Sequence, residues 1–403
     1  MPKLRSLLLL LAPVSILAQT SPQNTPPAVI ALRAARMIDG TGAATVRDAV
    51  VVVTGERITA MGSASGVVIP AGAKVIDLGD ATLLPGFIDA HTHLIGRTLG
   101  DPKHDLEEIR DFPALGAILG VENARRTLMA GFTSVRVVGS PNFDDMALRQ
   151  AISEGRVPGP RMQNAGNSLG ITGGHCDSNG YRPGIAEHGV KEGIANGPDE
   201  VRAAVRYQVK YGADVIKTCA TGGVLSEGDA VGTTQYTYEE LKAMVDEATK
   251  LDVKVAAHAH GTEGIKIATR AGVASIEHGS FLDEEGARLM AARGTFLVPT
   301  LMAPEAVARF ADNGVLTGLR AEKARAAAKA VRVGIKLAVA NNVKIAVGTD
   351  AGVIPHGTNA REFFLLTDWG GMSPMAALTA GTLNAAKLLG WESRIRSIPA
   401  GKL

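Results

Sequence analysis

The chain has 403 residues, 46% of them hydrophobic, 20% charged and 4% aromatic, a composition that belongs to globular proteins and excludes collagenous, fibrous and intrinsically disordered classes. Lysine and arginine number 42 against 40 aspartates and glutamates, a net charge of +2 with no basic stripe, so no nucleic-acid partner is expected. Two cysteines, Cys176 and Cys219, are too few for a disulfide framework and form no Cys-x-x-Cys metal motif.

The first residues carry Lys3 and Arg5, an apolar run over 7–17, Ala18, and then a polar stretch rich in Pro, Gln, Ser and Thr. This is the pattern of a secretory signal peptide over 1–18, and the run falls short of the ~20 apolar residues that span a bilayer. The mature protein is therefore expected to be periplasmic or secreted and free of the membrane; retention of the run as a single anchor is the alternative. Residues 19–81 form the next unit, with β-type runs at 29–34, 49–53, 57–61 and 74–78 separated by turn signals such as Asp39-Gly40 and Thr54-Gly55. They predict a small β domain and its linker.

From 82 to 390 short apolar strands alternate with helical patterns. The strands fall at 82–91, 133–138, 161–165, 214–219, 254–260, 274–278, 295–300 and 344–349, with helices at 114–130, 238–251, 264–271 and 322–340 among those between. Eight such strands predict an α/β fold, a (β/α)8 TIM barrel with a small β-sandwich domain formed mainly by the N-terminal segment. A doubly wound open sheet would carry Gly-x-Gly-x-x-Gly after an early strand, which this chain lacks. Segment 391–403 is expected to return, briefly, to the small β domain. Two long excursions, 166–197 and 221–235, follow strands and so belong to the C-terminal face of a barrel, where active sites are built.

Of nine histidines, His91, His93, His258, His260 and His278 all fall at the ends of expected strands, as does Asp350. In a barrel these ends converge on one mouth, and a His-x-His pair on a strand points both rings to the same side. Four imidazoles from FIDAHTHL, VAAHAHG and SIEHGS, with the carboxylate of VGTDAG, suit zinc or a similar borderline metal. Lys217, in DVIKTCATGG, is a cation on an otherwise apolar strand, so burial should lower its pKa and make the amine reactive. It can take up carbon dioxide as a carbamate bridging two metal ions, form a Schiff base with a carbonyl substrate, or sit in a salt bridge; the surrounding imidazoles favour the carbamate. His104, His188 and His356 lie in polar loops and are expected at the surface, with His356 the candidate exception because it follows Asp350 closely.

These residues together, from LLPGFIDAHTHL through the lysine of VIK to the TD of VGTDAG, resemble the amidohydrolase superfamily. GGHCDSNGYRPG, TGGVLSEGD and VAAHAHG are similar to the branch that holds imidazolonepropionase-like enzymes, Xaa-Pro dipeptidases and carboxypeptidases, and ochratoxin-hydrolysing amidohydrolases. The resemblance implies two divalent ions, zinc foremost. His91, His93 and Asp350 would hold one, His258 and His278 the other, with carboxylated Lys217 between them, a bridging hydroxide as nucleophile and Asp350 as proton carrier. His260 would touch substrate or brace His258, with replacement of His258 as ligand the alternative. His175, with Tyr236 and Arg182, would set specificity, and His175 could also face the oxyanion. Cys176 and Cys219 are expected as small buried residues in preference to a pair, because a thiol beside zinc would compete as a ligand. The family continues past a segment like SIPAGKL with a strand that returns to the small domain. The expected function is hydrolysis of an amide to release a C-terminal amino acid from a dipeptide or N-acyl amino acid, ochratoxin A among the possible substrates, by a protein that is commonly a homo-oligomer in this family. A ring-opening cyclic amidase, a Schiff-base enzyme and a non-catalytic barrel are the competing readings.

Overall fold

A computed structural model describes residues 27–395, 398 and 401–403. The expected signal segment at 1–18 lies outside the described residues. No described helix is long and apolar enough to cross a membrane.

The small domain is built on a mixed five-stranded sheet. Strands β1 (Val29–Met37), β2 (Val46–Thr54), β3 (Arg57–Ser63) and β4 (Lys74–Asp77) lie in the order β3-β2-β1-β4, with β1 and β2 antiparallel and β5 (Thr82–Leu83) pairing the far end of β1. Alternation along β2 buries Ala49 and Val51 on one side and Val50 and Val52 on the other; from β1, Met37 packs with the first pair and Ala31 with the second. The chain end comes back to this sheet: Gly401 N donates to Ile58 O and Ile58 N to Lys402 O, each at 2.8 Å.

Sequence periodicity reads 82–91 as one strand, but the structure divides it. Pro85 has no N–H to give a ladder, and Gly86 is packed so closely on Thr133 that a Cβ would lie 2.1 Å from its Oγ1. The chain therefore leaves the small sheet after β5 and starts afresh as β6 (Phe87–Thr92). Parallel strands β7 (Phe132–Val137) and β8 (Arg161–Asn164) continue from it. A second parallel sheet runs through β9 (Val215–Cys219), β10 (Lys254–Ala259), β11 (Ser275–His278), β12 (Phe296–Val298) and β13 (Lys344–Ile345). Helices separate them as the apolar spacing predicts. Tyr238–Lys250, for example, starts from a Thr237/Glu240 capping box and buries Leu241, Met244 and Ala248, one face at helical spacing.

The two parallel sheets meet at both edges. At one seam Asp214 N donates to Asn164 O and Leu169 N to Lys217 O, both 2.8 Å; at the other Ala90 N donates to Val347 O and Asp350 N to His91 O, again 2.8 Å. The second seam is braced by a buried carboxylate. Asp89 accepts from Thr349 Oγ1 at 2.6 Å, Asn359 Nδ2 at 2.7 Å, and the main-chain N of His91 and Thr349 at 3.1 Å. These bonds leave few of its lone pairs unused, although burial still lifts its carboxyl to about 6. Asp89→Ala strands these donors in the interior and is expected to lower stability by about 3 kcal/mol, read as a shifted denaturant midpoint; a loss under about 0.5 kcal/mol, the range of ordinary surface changes, would show that the brace does not hold the seam.

Candidate metal centre and active site

The strand ends deliver their imidazoles to one buried place. Asp89 and His91 alternate with their neighbours along β6, and His93 follows one residue past its end, which is how one strand and its end supply both the seam brace and two ring donors. Two groups of donor atoms form, each with all members within 4.8 Å of one another: His91, His93 and Asp350 in one, His258, His260 and His278 in the other. His93 Nε2 lies 3.4 Å and His91 Nε2 3.6 Å from Asp350 Oδ1. Lys217, on β9 beside β10, lines the same cavity, and after burial its charge adds to the depression of the His91, His93, His258 and His278 pKa values.

Most rings have one nitrogen fixed by a neighbour, which decides the other. His91 Nδ1 donates to Glu277 Oε2 at 2.8 Å, and His93 Nδ1 donates to Gly139 O at 3.3 Å. His278 Nδ1 donates to Thr300 Oγ1 at 2.7 Å, because the Thr300 hydroxyl itself donates to Pro299 O. His260 Nδ1 pairs with Ser280 Oγ at 2.8 Å, and His258 instead turns Nε2 towards Gly222 O at 3.4 Å. Where the bonded nitrogen donates, to Glu277, Gly139 O, Gly222 O or Thr300, the other nitrogen of the ring keeps its lone pair. His91 Nε2 is buried with no hydrogen-bond partner among the described residues, an arrangement that costs free energy unless a cation is there to receive it.

Electrostatics agree with that donor set. Burial holds His91, His258 and His278 well below the ordinary imidazole range and His93 and His260 at about 3, so all five are neutral at pH 7, the form that binds metal. Burial also lowers the Lys217 ammonium to about 8 and lifts the Asp350 carboxyl to about 7. His278 and Asp350 adopt left-handed backbone, at φ 68° and 60°, as does Thr300 at 47°. Non-glycine residues there cost of order 1 kcal/mol or more each and persist where their surroundings over-determine them, characteristically at functional sites. Gly348 makes room for the arrangement, since a Cβ on it would sit 2.8 Å from that of His91.

The residues that sequence reasoning missed lie one layer out. Arg136 and Glu277 are fully buried: Arg136 Nη2 donates to Glu277 Oε1 at 2.7 Å, Nη1 to Ser275 Oγ at 3.1 Å and Nε to Ala90 O at 2.6 Å. The pair locks β6, β7 and β11 together and orients His91. Their signal was a charge inside each of two apolar strand patterns, RVVG and SIEH.

Several expectations are corrected. Cys176 and Cys219 form a disulfide, Cα to Cα 5.8 Å, instead of lying as separate thiols. The long loop folds back onto the end of β9 and brings them within bonding reach, and pairing removes both thiols as competing metal ligands. Tyr236 is 1% exposed and turned into the core, its hydroxyl donating to Ala195 O at 3.1 Å, and Arg182 is exposed on its loop; neither lines the cavity. His356 is buried, with neither ring nitrogen hydrogen-bonded among the described residues, whereas His104 and His188 are half-buried in loops. His175 does reach the cavity, with its ring centroid 4.2 Å from that of His258.

The cavity encloses about 300 Å³. One end carries the imidazoles, Lys217 and Asp350; the other is apolar, walled by Val224, Leu225, Pro304, Val307, Ala327 and Val353. Glu277→Gln keeps the size of the side chain but weakens the acceptor for His91 and leaves Arg136 without its counter-charge. It is expected to lower metal affinity by between about 10- and 100-fold, measured by competition with a chelator, and unchanged affinity would remove Glu277 from the support of the site.

Comparison with known proteins agrees with the geometry. Ochratoxinase of Aspergillus niger is 34% identical over 325 residues, 76% of this chain and 65% of that one, so the chain spans somewhat under two thirds of that relative. Imidazolonepropionase of Pseudomonas fluorescens is 26% identical over 387 residues, 89% of this chain and 86% of the other. A crystal structure of a Xaa-Pro dipeptidase with methionine bound in the active site matches with a TM-score of 0.88 and 38% identity, covering 93% of this chain and 92% of that one. The amidohydrolase family model matches residues 82–403, and the chain belongs to that family.

Proposed function

We propose that the protein is a binuclear metal-dependent hydrolase that cleaves an amide bond and releases a C-terminal amino acid from a dipeptide or N-acyl amino acid. The observation that carries this reading is the pair of donor groups lining one buried cavity together with Lys217. His91, His93 and Asp350 would hold one ion, His258 and His278 the other, and Lys217, carboxylated by carbon dioxide, would join them, with the eight parallel strands closing as a barrel around the site beside a small β sandwich. Two divalent ions, zinc by the character of the donors, supply a nucleophile from water at neutral pH and an electrophile for the carbonyl oxygen.

The chain's own residues do the rest. Asp350 takes the proton of the attacking water at a carboxylate oxygen and hands it to the departing nitrogen, which cannot leave as an amide anion. Its burial-raised pKa suits a group that must both accept and release a proton near pH 7. His260 and His175 face the substrate beside the reacting carbon. The apolar end admits a hydrophobic side chain and excludes water from it. The methionine in the related dipeptidase's active site supports release of a free amino acid, and the likeness to ochratoxinase supports aryl-acylated phenylalanines, ochratoxin A among them, as members of the substrate class. The Cys176–Cys219 disulfide supports export to an oxidising compartment, periplasmic or extracellular. Assembly as a homo-oligomer belongs to the same proposal.

Protein purified without chelator is expected to hold two metal ions per chain and to release amino acids from a panel of dipeptides and N-acyl amino acids, those with apolar side chains fastest, and to stop when metal is removed. Lys217→Ala should lose metal and activity together. Release that survives chelation would end the metal reading, and full metal content in Lys217→Ala would end the bridging role. Asp350→Asn keeps an oxygen donor but cannot take up a proton as a carboxylate does. It is expected to reduce turnover by about 10³-fold, and turnover within a few-fold of the parent would remove Asp350 as proton carrier.

A further inference from the structure

We infer that the Cys176–Cys219 disulfide is the positioning element for His175, so that the site works fully only when the bridge is oxidised. Cys176 belongs to the long loop after β8, Cys219 is the last residue of β9, two beyond Lys217, and both line the cavity. His175 is the residue next to the bridge. Its ring differs from the other cavity imidazoles in one respect. His91, His93, His260 and His278 each have Nδ1 fixed by a side chain or carbonyl and His258 turns Nε2 to Gly222 O, whereas His175 Nδ1 is buried with no hydrogen-bond partner among the described residues. Nothing grips the His175 ring by its own polar atoms, so its place is set through its backbone.

That backbone is held from two directions. On one side the covalent bridge at the following residue ties it to β9. On the other, His175 N donates to Gln235 Oε1 at 3.0 Å, Gln235 Nε2 donates to Asp229 Oδ2 at 3.0 Å, and Asp229 Oδ1 accepts from Lys323 Nζ at 3.0 Å. Lys323, on the helix Gly318–Ala340, also donates to Ser226 O and Asp229 O, so the second long loop is anchored to that helix. The ring then lies flush on Gly223, where a Cβ would come within 2.1 Å of its Cε1. Breaking the disulfide leaves that chain of hydrogen bonds and the loop's own turn bonds, Gly174 N to Ile171 O and Asp177 N and Asn179 Nδ2 to Gly174 O, none of which ties His175 to β9, and lets the ring leave this slot, while the donors on the strands stay where they are. Reduction by a trialkylphosphine is balanced as follows: the phosphine is oxidised to its oxide with an oxygen from water, the S–S bond breaks, and the two sulfurs take the two protons as thiols.

The test pairs a double-mutant cycle in the holoenzyme with hydrogen exchange. Cys176→Ala/Cys219→Ala is expected to lose between about 10- and 100-fold in kcat/KM, the scale of small misplacements of a site group, with metal content unchanged. His175→Ala should lose a similar factor, and the combined variant no more than His175→Ala alone. Phosphine should lower the parent enzyme likewise, leave His175→Ala unaffected, and be reversed on reoxidation; it carries the same comparison if the cysteine-free variant does not fold. Losses that multiply in the combined variant, or metal released along with the bridge, would overturn the inference, since the disulfide would then act on the fold or on Lys217. The kinetic arm rests on the hydrolase reading, so exchange is scored separately. Breaking the bridge should speed amide exchange around residue 175 and leave β9 and β10 unchanged. Unchanged exchange there overturns the positioning role whether or not any amide is hydrolysed; faster exchange without hydrolysis of any substrate sinks the hydrolase reading alone.

Discussion

Burying the five strand-end imidazoles, an ammonium and a carboxylate in one cavity is the constraint to which the rest of the structure answers. Desolvation disfavours the charged form of every one of them. The imidazoles and Lys217 are pushed down and Asp350 up, so the cluster sits closer to neutrality than its formal charges suggest. Neutral rings still need partners, and the strands bring them: Glu277, Gly139 O, Thr300 and Ser280 each take one ring nitrogen. What is left over points inward. The geometry therefore defines a ligand set by subtraction, since each ring has one committed nitrogen and one that is not.

The charged second layer is costly in the same way and is resolved by pairing. Arg136 and Glu277 would each be prohibitive alone in the interior, but together, with Ser275, Ala90 O and His91 as further partners, their hydrogen-bonding capacity is largely filled. The pair spans three strands, so the force that orients His91 also fixes where β6 and β11 stand relative to each other. Asp89 does the corresponding work at the seam with residues 347–351. The seam and His91 share one strand, and in consequence the left-handed turn at Asp350 is held between Thr349, bonded to Asp89, and Ala351, whose carbonyl accepts from His93 N at 2.6 Å.

How much of this could be read from the sequence follows from range. His91 and His93 declare themselves through two-residue spacing on an apolar strand, and Lys217, His258, His278 and Asp350 through polar residues at the ends of apolar runs; period and burial are local properties and survive without a structure. The alternation of strands and helices was legible for the same reason, though not the break at Pro85-Gly86, which depends on Thr133 some fifty residues away. Partnerships across strands were not legible. Nothing near Glu277 says that it meets His91, and nothing near Cys176 says that its loop returns to β9. Tyr236 shows the opposite failure: it is expected with His175 and Arg182 to set specificity, yet its aromatic ring is worth more in the core, where its hydroxyl finds Ala195 O. Chemistry-bearing residues on strands are easier to place than those on loops because a strand fixes direction and a loop does not.

That difference also explains why the two long loops are tied down as they are. A site built only on strand ends has its donors but no walls, and here the walls come from segments with little regular structure of their own. The loop at 221–235 supplies Val224 and Leu225 to the apolar end and Gly223 and Gln235 to His175. It is secured by a buried lysine, Lys323, making three bonds to it from a long helix. Pro304 and Val307, also of the apolar wall, lie in a helix whose first amides donate to the buried carboxyl group of Glu362, with Leu301 N at 2.8 Å and Met302 N at 3.0 Å. In each case a buried polar side chain bonded to main-chain groups stands in for the ladder that a strand would have had. The apolar residues that line the cavity are thereby held by polar contacts outside it, which leaves the cavity wall itself apolar and free to vary in shape without disturbing the imidazole cluster.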